Sequence, residues 1–419
     1  ARPQVHSAPP ISPGMSRTRL PNPASPPDPR GKPEETTPVR HLYVHVPFCL
    51  HKCEYCAFYS TPAPPELYQR YTRALVRELE WVAPDLAPET IYFGGGTPTL
   101  LDIREWELVL NAMQRLGLKG ASEWTVEANP ATITPEKASL LRAAGVNRIS
   151  LGAQSLDDTL LRRLGRLHDR QQVFHTYDLI RHAGFRNVNL DLMFAIPGQS
   201  LDTWRRTLRE ALALESEHLS SYEVIYEEDT PLYQQLQASE FEVDEDLACD
   251  MFDALAASAA QAGLAQYEIA NFARHRSPTP APVPDCACRH NVNTWRGGSF
   301  HGLGPSATSC VRGVRARNWP SVERYCADIE RGLRPIESTE TLPPLSRAGE
   351  IAAFGLRMNV GWRFAEFTRI TGFDLRIDWA QDMDRLEAEG LGRRHRGGFQ
   401  LTDRGLRFAD LAAERFLRP

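Results

Sequence analysis

Cys49-Leu50-His51-Lys52-Cys53-Glu54-Tyr55-Cys56 sets three thiols on one short stretch, directly after Leu42-Tyr43-Val44-His45-Val46. The β-branched and aromatic content of the preceding run predicts a strand. The thiols therefore fall on the loop leaving its C-terminal end, where a barrel enzyme keeps its chemistry. Three thiolates converging on one centre leave a coordination position to fill. Structural zinc takes four ligands in a closed shell, and the following Ala57, Phe58, Tyr59 and Ser60 offer no further Cys or His. His51 lies inside the loop, and the tight spacing of its neighbours makes it a poor fourth ligand. A cubane cluster takes thiolates on its irons and can leave one iron open to a second ligand. The plainer alternative is three incidental or zinc-binding cysteines.

Outward from this loop the chain alternates. Leu67, Tyr71, Leu75 and Leu79 recur at helical spacing, and Thr90-Ile91-Tyr92-Phe93 then reads as a strand running into Gly94-Gly95-Gly96-Thr97-Pro98-Thr99. Further strands are expected at 124–127, 147–151, 188–193 and 218–224, with helices at 104–116, 135–144, from Asp157, at 171–183 and at 201–214. Six strand–helix units predict an α/β fold, closed most economically as an open (β/α)6 partial TIM-type barrel; a doubly wound sheet fits the same strings. Beyond them come a helix at 246–263, a strand at 267–269, a Pro-rich loop at 277–285 and a Gly- and aromatic-rich block at 289–304. After Leu342-Pro343-Pro344, helices and a two-strand wing around 397–402 resemble a small winged helix. The expected domains are a disordered Pro-rich tail at 1–38, a barrel with its following helix and strand at 39–270, a linker segment at 271–342, and the winged-helix-like unit at 343–419.

The 419 residues carry a formal charge of −5, so there is no global basic field and nucleic acid is not an expected partner. Eight cysteines are too sparse for a disulfide scaffold, and an oxygen-sensitive cluster implies a reducing, cytoplasmic compartment. No run of eighteen apolar residues exists to span a membrane.

Polar residues gather at the predicted strand ends. The Gly94–Thr97 turn removes side chains so that backbone can approach a bound amino-acid moiety. Glu127, Gln154 and Asp191 fall at strand C-termini, where side chains converge over a barrel mouth. Arg166 offers a bidentate fork to a ligand carboxylate. The bland reading of each is a loop cap or surface residue.

Together, segments 41–60, 92–100, 126–130, 149–156, 190–199 and 222–233 resemble the oxygen-independent coproporphyrinogen oxidase-like branch of the radical S-adenosylmethionine (SAM) superfamily. The resemblance implies a 4Fe–4S cluster on Cys49, Cys53 and Cys56, with SAM chelating the fourth iron. It places Tyr43 beside the cofactor, the Gly95, Gly96 and Thr97 backbone at its amino group, and Arg166 at its carboxylate. Glu127, Gln154 and Asp191 would take its amino-acid and ribose groups, and Ile225 would line the adenine. That branch holds a porphyrinogen decarboxylase and the HemW-type haem chaperones. The decarboxylase loop resembles CxxxCxxCxC, whereas this chain has Phe58 at the last position. Arg289-His290-Asn291-Val292-Asn293-Thr294-Trp295-Arg296-Gly297-Gly298 is similar to the HNxxYW haem motif of the chaperones, with His290 as axial ligand and Trp295 as an apolar plane. Thr294 replaces the usual Tyr, and Ala57 stands where an acidic residue is common; Cys288 is a second candidate ligand. The implied function is haem transfer to acceptor apoproteins, membrane-bound respiratory proteins among them. The alternatives are oxidative decarboxylation of coproporphyrinogen III and a radical SAM reaction on another substrate.

Overall fold

The computed structural model describes residues 37–130, 132–278 and 281–418, so the expected tail at 1–38 lies almost wholly outside the described residues. Six strands build the frame: β1 (Val39–Val46), β2 (Leu86–Gly95), β3 (Glu123–Ala128), β4 (Arg148–Gln154), β5 (Val188–Phe194) and β6 (His218–Glu223). Each pairs parallel with the next, in the unbroken spatial order 6-5-4-3-2-1. A doubly wound sheet reverses its order at a switch point. The absence of any reversal here decides for the singly wound, open barrel.

Strand period explains the two faces. Leu42, Val44, Val46, Ile91, Phe93, Trp124, Val126, Ile149, Leu151, Leu190, Leu192 and Leu219 are all buried in one apolar core together with the flanking helices. The alternate residues, among them Tyr92, Glu127, Arg148, Ser150, Asn189, Asp191 and Ser220, line an internal cavity. A typical parallel barrel fills its interior with Val, Ile and Leu; this one sets polar and charged side chains around a hollow lumen.

Within residues 271–342, expected as a linker and motif-bearing segment, two short strands join the barrel sheet. β7 (Leu264–Glu268) and β8 (Asn271–Arg274) form an antiparallel pair that extends the sheet beyond β6, and β9 (His301–Leu303) adds parallel to β1. The Gly-rich block begins not as a loop but as a helix, Arg289–Trp295. Its cap is tertiary: Glu123, the first residue of β3, accepts from the backbone N–H of Arg289 (2.9 Å) and of His290 (3.1 Å). That bond lays the helix across the N-terminal end of the strands as a floor. β10 (Thr308–Val311), β11 (Val314–Asn318) and β12 (Ile336–Thr341) form a separate antiparallel sheet. Glu78, buried in the first helix, latches this segment: it accepts from Gly304 N–H (2.9 Å), Asn318 Nδ2 (2.9 Å) and the Tyr325 hydroxyl (2.7 Å). Part of the Pro-rich loop, residues 279 and 280, lies outside the described residues.

The C-terminal residues have their own core, centred on Trp362, Phe367, Trp379, Leu386, Phe399 and Phe416. β13 (Trp362–Arg363), β14 (Gly392–His395) and β15 (Gly398–Leu401) make the small sheet of a winged-helix-like unit, with the wing close to its expected place. Among the described residues no helix is long and apolar enough to cross a membrane.

Candidate functional site

The cysteine loop is held by backbone bonds to its surroundings. Gly96 N–H donates to Val46 O (2.8 Å) and Thr97 N–H to Phe48 O (2.7 Å), while Glu54 N–H reaches Leu164 O (3.1 Å) and Leu232 N–H reaches Glu54 O (2.9 Å). The glycine turn after β2, the end of the short helix Asp158–Arg163 that follows β4, and the segment after β6 thus converge on one loop. Cys49, Cys53 and Cys56 are free thiols, partly buried, and all three line the lumen cavity of about 670 Å³. Burial raises the Cys49 and Cys56 thiols above their ordinary range. Against this, the nearby Arg166 guanidinium pulls the Cys49 thiol down, and its Nη1 donates to Cys53 Sγ at 3.5 Å.

Among the described residues no three His, Cys, Asp or Glu side chains gather closely enough to hold a single metal ion. A zinc site needs its sulfurs about 2.3 Å from one centre; a cubane spreads three thiolates over three irons. Three free thiols around one cavity, with a guanidinium at their edge, fit the cluster and not the single ion.

Below the thiols the lumen is a layer of acceptors. Glu127 accepts from the Tyr92 hydroxyl (2.7 Å) and from Gly95 N–H (3.1 Å), yet burial pushes its carboxyl up to about 7. Asp191 accepts from Asn189 Nδ2 (2.8 Å) and Ser150 Oγ (3.1 Å), and burial raises it too. Gln154, at a bulge between β4 and β5, has φ of 62°. A left-handed backbone on a non-glycine residue beside a cavity is the kind of strain that functional sites retain. Gly95 has φ of 102°, and a Cβ there would stand 2.4 Å from the His45 ring. The amide hydrogens of Gly95, Gly96 and Thr97 are all spent on the protein. The turn is left with carbonyl oxygens to offer, which suits an ammonium donor. Arg166 donates to Asn129 Oδ1 (2.7 Å) and Gly152 O (2.8 Å), and its Nε has no partner among the described residues.

Of the expected site residues, the three cysteines, Gly95, Gly96, Thr97, Glu127, Gln154, Arg166, Asp191 and Ile225 line this cavity. Three do not. Tyr43 turns its hydroxyl to His45 Nδ1 (3.0 Å). His290 is buried in the floor with Nδ1 2.9 Å from Thr90 Oγ1, and burial pushes its pKa down to about 3. Trp295 packs on Phe354 and under the Arg357 guanidinium, away from the lumen. The Glu123 bonds hold the first turn of this helix against the start of β3. Cys288, the other candidate ligand, is buried against Glu123, and burial pushes its thiol up to about 12. Tyr92, Arg148, Asn189 and Asn291 also line the cavity. The period-2 alternation from Glu127 and Asp191 points to Arg148 and Asn189, and Asn291 belongs to the motif around His290.

Residues 43–211 match the family described as the radical SAM superfamily, and residues 342–408 match the HemN C-terminal domain. Proteins named heme chaperone HemW are similar over nearly their whole length. That of Bacillus subtilis (strain 168) is 31% identical over 376 residues, 88% of this chain and 96% of its own. That of Escherichia coli (strain K12) is 32% identical over 388 residues, 91% and 98% of the two chains. The solved coproporphyrinogen III oxidase (HemN) of Escherichia coli superimposes with a TM-score of 0.77 at 20% identity, covering 91% of this chain and 90% of that one, which shows a shared fold. Full-length kinship at this level, with three thiols facing a polar lumen, places the chain in the HemW family of the radical SAM superfamily.

Proposed function

We propose that the protein is a haem chaperone working in a reducing compartment. It holds a 4Fe–4S cluster on Cys49, Cys53 and Cys56 and SAM in the lumen beneath, and passes haem to acceptor apoproteins. Bound there, the cluster supplies a redox-active iron with an open position for SAM. The chain's own residues would bind and orient. Carbonyls of the glycine turn accept from the ammonium, Arg166 holds the carboxylate, and Glu127 and Asp191 accept from the ribose hydroxyls, with Gln154 and Ile225 completing the walls.

The observation that carries the chaperone reading over the decarboxylase is Phe58. It stands 70% exposed on the cavity rim, where the decarboxylase pattern has a thiol. A phenyl ring offers neither a proton nor a ligand, but it does offer an apolar surface to a macrocycle. The test is an anaerobic assay of the reconstituted chain with haem and with coproporphyrinogen III side by side. Stoichiometric haem binding without protoporphyrinogen is expected; protoporphyrinogen formed over many turnovers would reverse the assignment.

A further inference from the structure

The opening of the lumen is ringed by apolar side chains turned to solvent. Leu50 is 62% exposed, Phe58 70%, Leu167 68% and Ile225 58%, and each also lines the cavity. They come from three segments that the fold draws together. Leu50 lies between the first two cysteines and Phe58 just after the third, Leu167 follows the turn bonded to Glu54, and Ile225 precedes the segment bonded to Glu54 from the other side. Tyr55 anchors the junction from beneath, packed with Leu160, Leu164, Val224 and Leu232. Scattered exposed apolar residues need no explanation, but a ring of them around one cavity marks a binding face.

His51 sits in this ring. It is exposed, lines the cavity, and its imidazole makes no hydrogen bond or ion pair with any described residue. Lys52 beside it is exposed and likewise lacks an ion pair among the described residues. On the Ile225 side the ring is acidic, with Glu223 and Glu227 exposed. A free imidazole, an apolar ring and one cationic edge match an iron-bearing, largely apolar macrocycle with carboxylates along one side. The buried His290, tied to Thr90, offers no such approach.

We propose that this rim is the haem landing site. His51 is an axial ligand, Leu50, Phe58, Leu167 and Ile225 lie against the macrocycle, and the propionates turn toward Lys52 and away from Glu223 and Glu227. The proposal rests on the haem reading above and deepens it. Imidazole is an established axial ligand for haem iron, and thioether sulfur another.

The experiment titrates ferric haem into the full-length, cluster-loaded chain. It reads difference absorbance and the haem electron paramagnetic resonance signal, with iron content per chain as the check on folding. Loss of the axial ligand in His51→Ala is expected to shift the Soret band and weaken binding at least tenfold. His51→Met is expected to restore affinity with a different spectrum. Phe58→Asp is expected to weaken binding without altering the ligand signature, and His290→Ala to leave the spectrum unchanged. Wild-type binding with an identical spectrum in His51→Ala overturns the inference alone. No haem binding by the wild type overturns both it and the chaperone reading.

Discussion

Arg166 shows how much one side chain is asked to do. Its guanidinium touches Cys53 Sγ, Asn129 and Gly152 O, so it joins the cysteine loop to the ends of β3 and β4. A charge-assisted hydrogen bond to a carboxylate contributes about 1.5–3 kcal/mol. Arg166→Ala is therefore expected to weaken SAM binding by roughly ten- to a hundredfold, read by calorimetry, while iron content stays at the wild-type level. Unchanged SAM affinity would remove Arg166 from the site. At this scale the sequence was informative where chemistry and strand position coincide. The cysteines, the glycine turn, Glu127, Gln154, Arg166 and Asp191 all reach the cavity. Tyr43 shows the limit. It lies opposite Tyr92 in the β1–β2 register, but its hydroxyl turns to His45, and of the two only Tyr92 lines the cavity. Alternation gives the face of a strand, not the direction of a side chain within the lumen.

Among elements, the floor helix Arg289–Trp295 is the least readable from sequence and among the most consequential. Seven residues without an apolar period carry no helical signal, and the cap that stabilises them, Glu123, lies far away in the chain. β8 and β9, of four and three residues, escape for the same reason, since short segments carry too little alternation to count. The six barrel strands and their helices were legible because each spans enough residues to repeat its pattern. The floor also titrates. Burial, with His41 adding a smaller effect, lowers His290 to about 3 against an ordinary 6.5. The group is neutral in the folded protein while the unfolded chain takes up a proton below 6.5, so its stabilising contribution is present above 6.5 and declines as the pH falls toward 3. Unfolding free energy of the wild type is expected to fall by about 1.4 kcal/mol more per pH unit than that of His290→Asn across this window. Denaturant titrations at pH 7.5 and pH 5 compare the two slopes, and parallel slopes would show that His290 is not held neutral.

Taken as a whole, the barrel unit is a vessel. Its walls carry polar and charged side chains within and pack apolar ones against the helices without, its floor is a helix pinned by Glu123, and its mouth is the ring that carries the cysteine loop. The ring and the deep polar residues line one and the same cavity. If haem sits across the mouth, the sequence of loading becomes compulsory: the slimmer cofactor goes in first and leaves last. Haem would act as a stopper on SAM, with Ile225 as the side chain the two share, and would lengthen its residence time. Stopped-flow displacement of labelled SAM is expected to slow at least tenfold in the haem-loaded protein. It is expected to recover its unloaded rate once an apoprotein has withdrawn the haem, so that cargo delivery itself uncorks the cofactor.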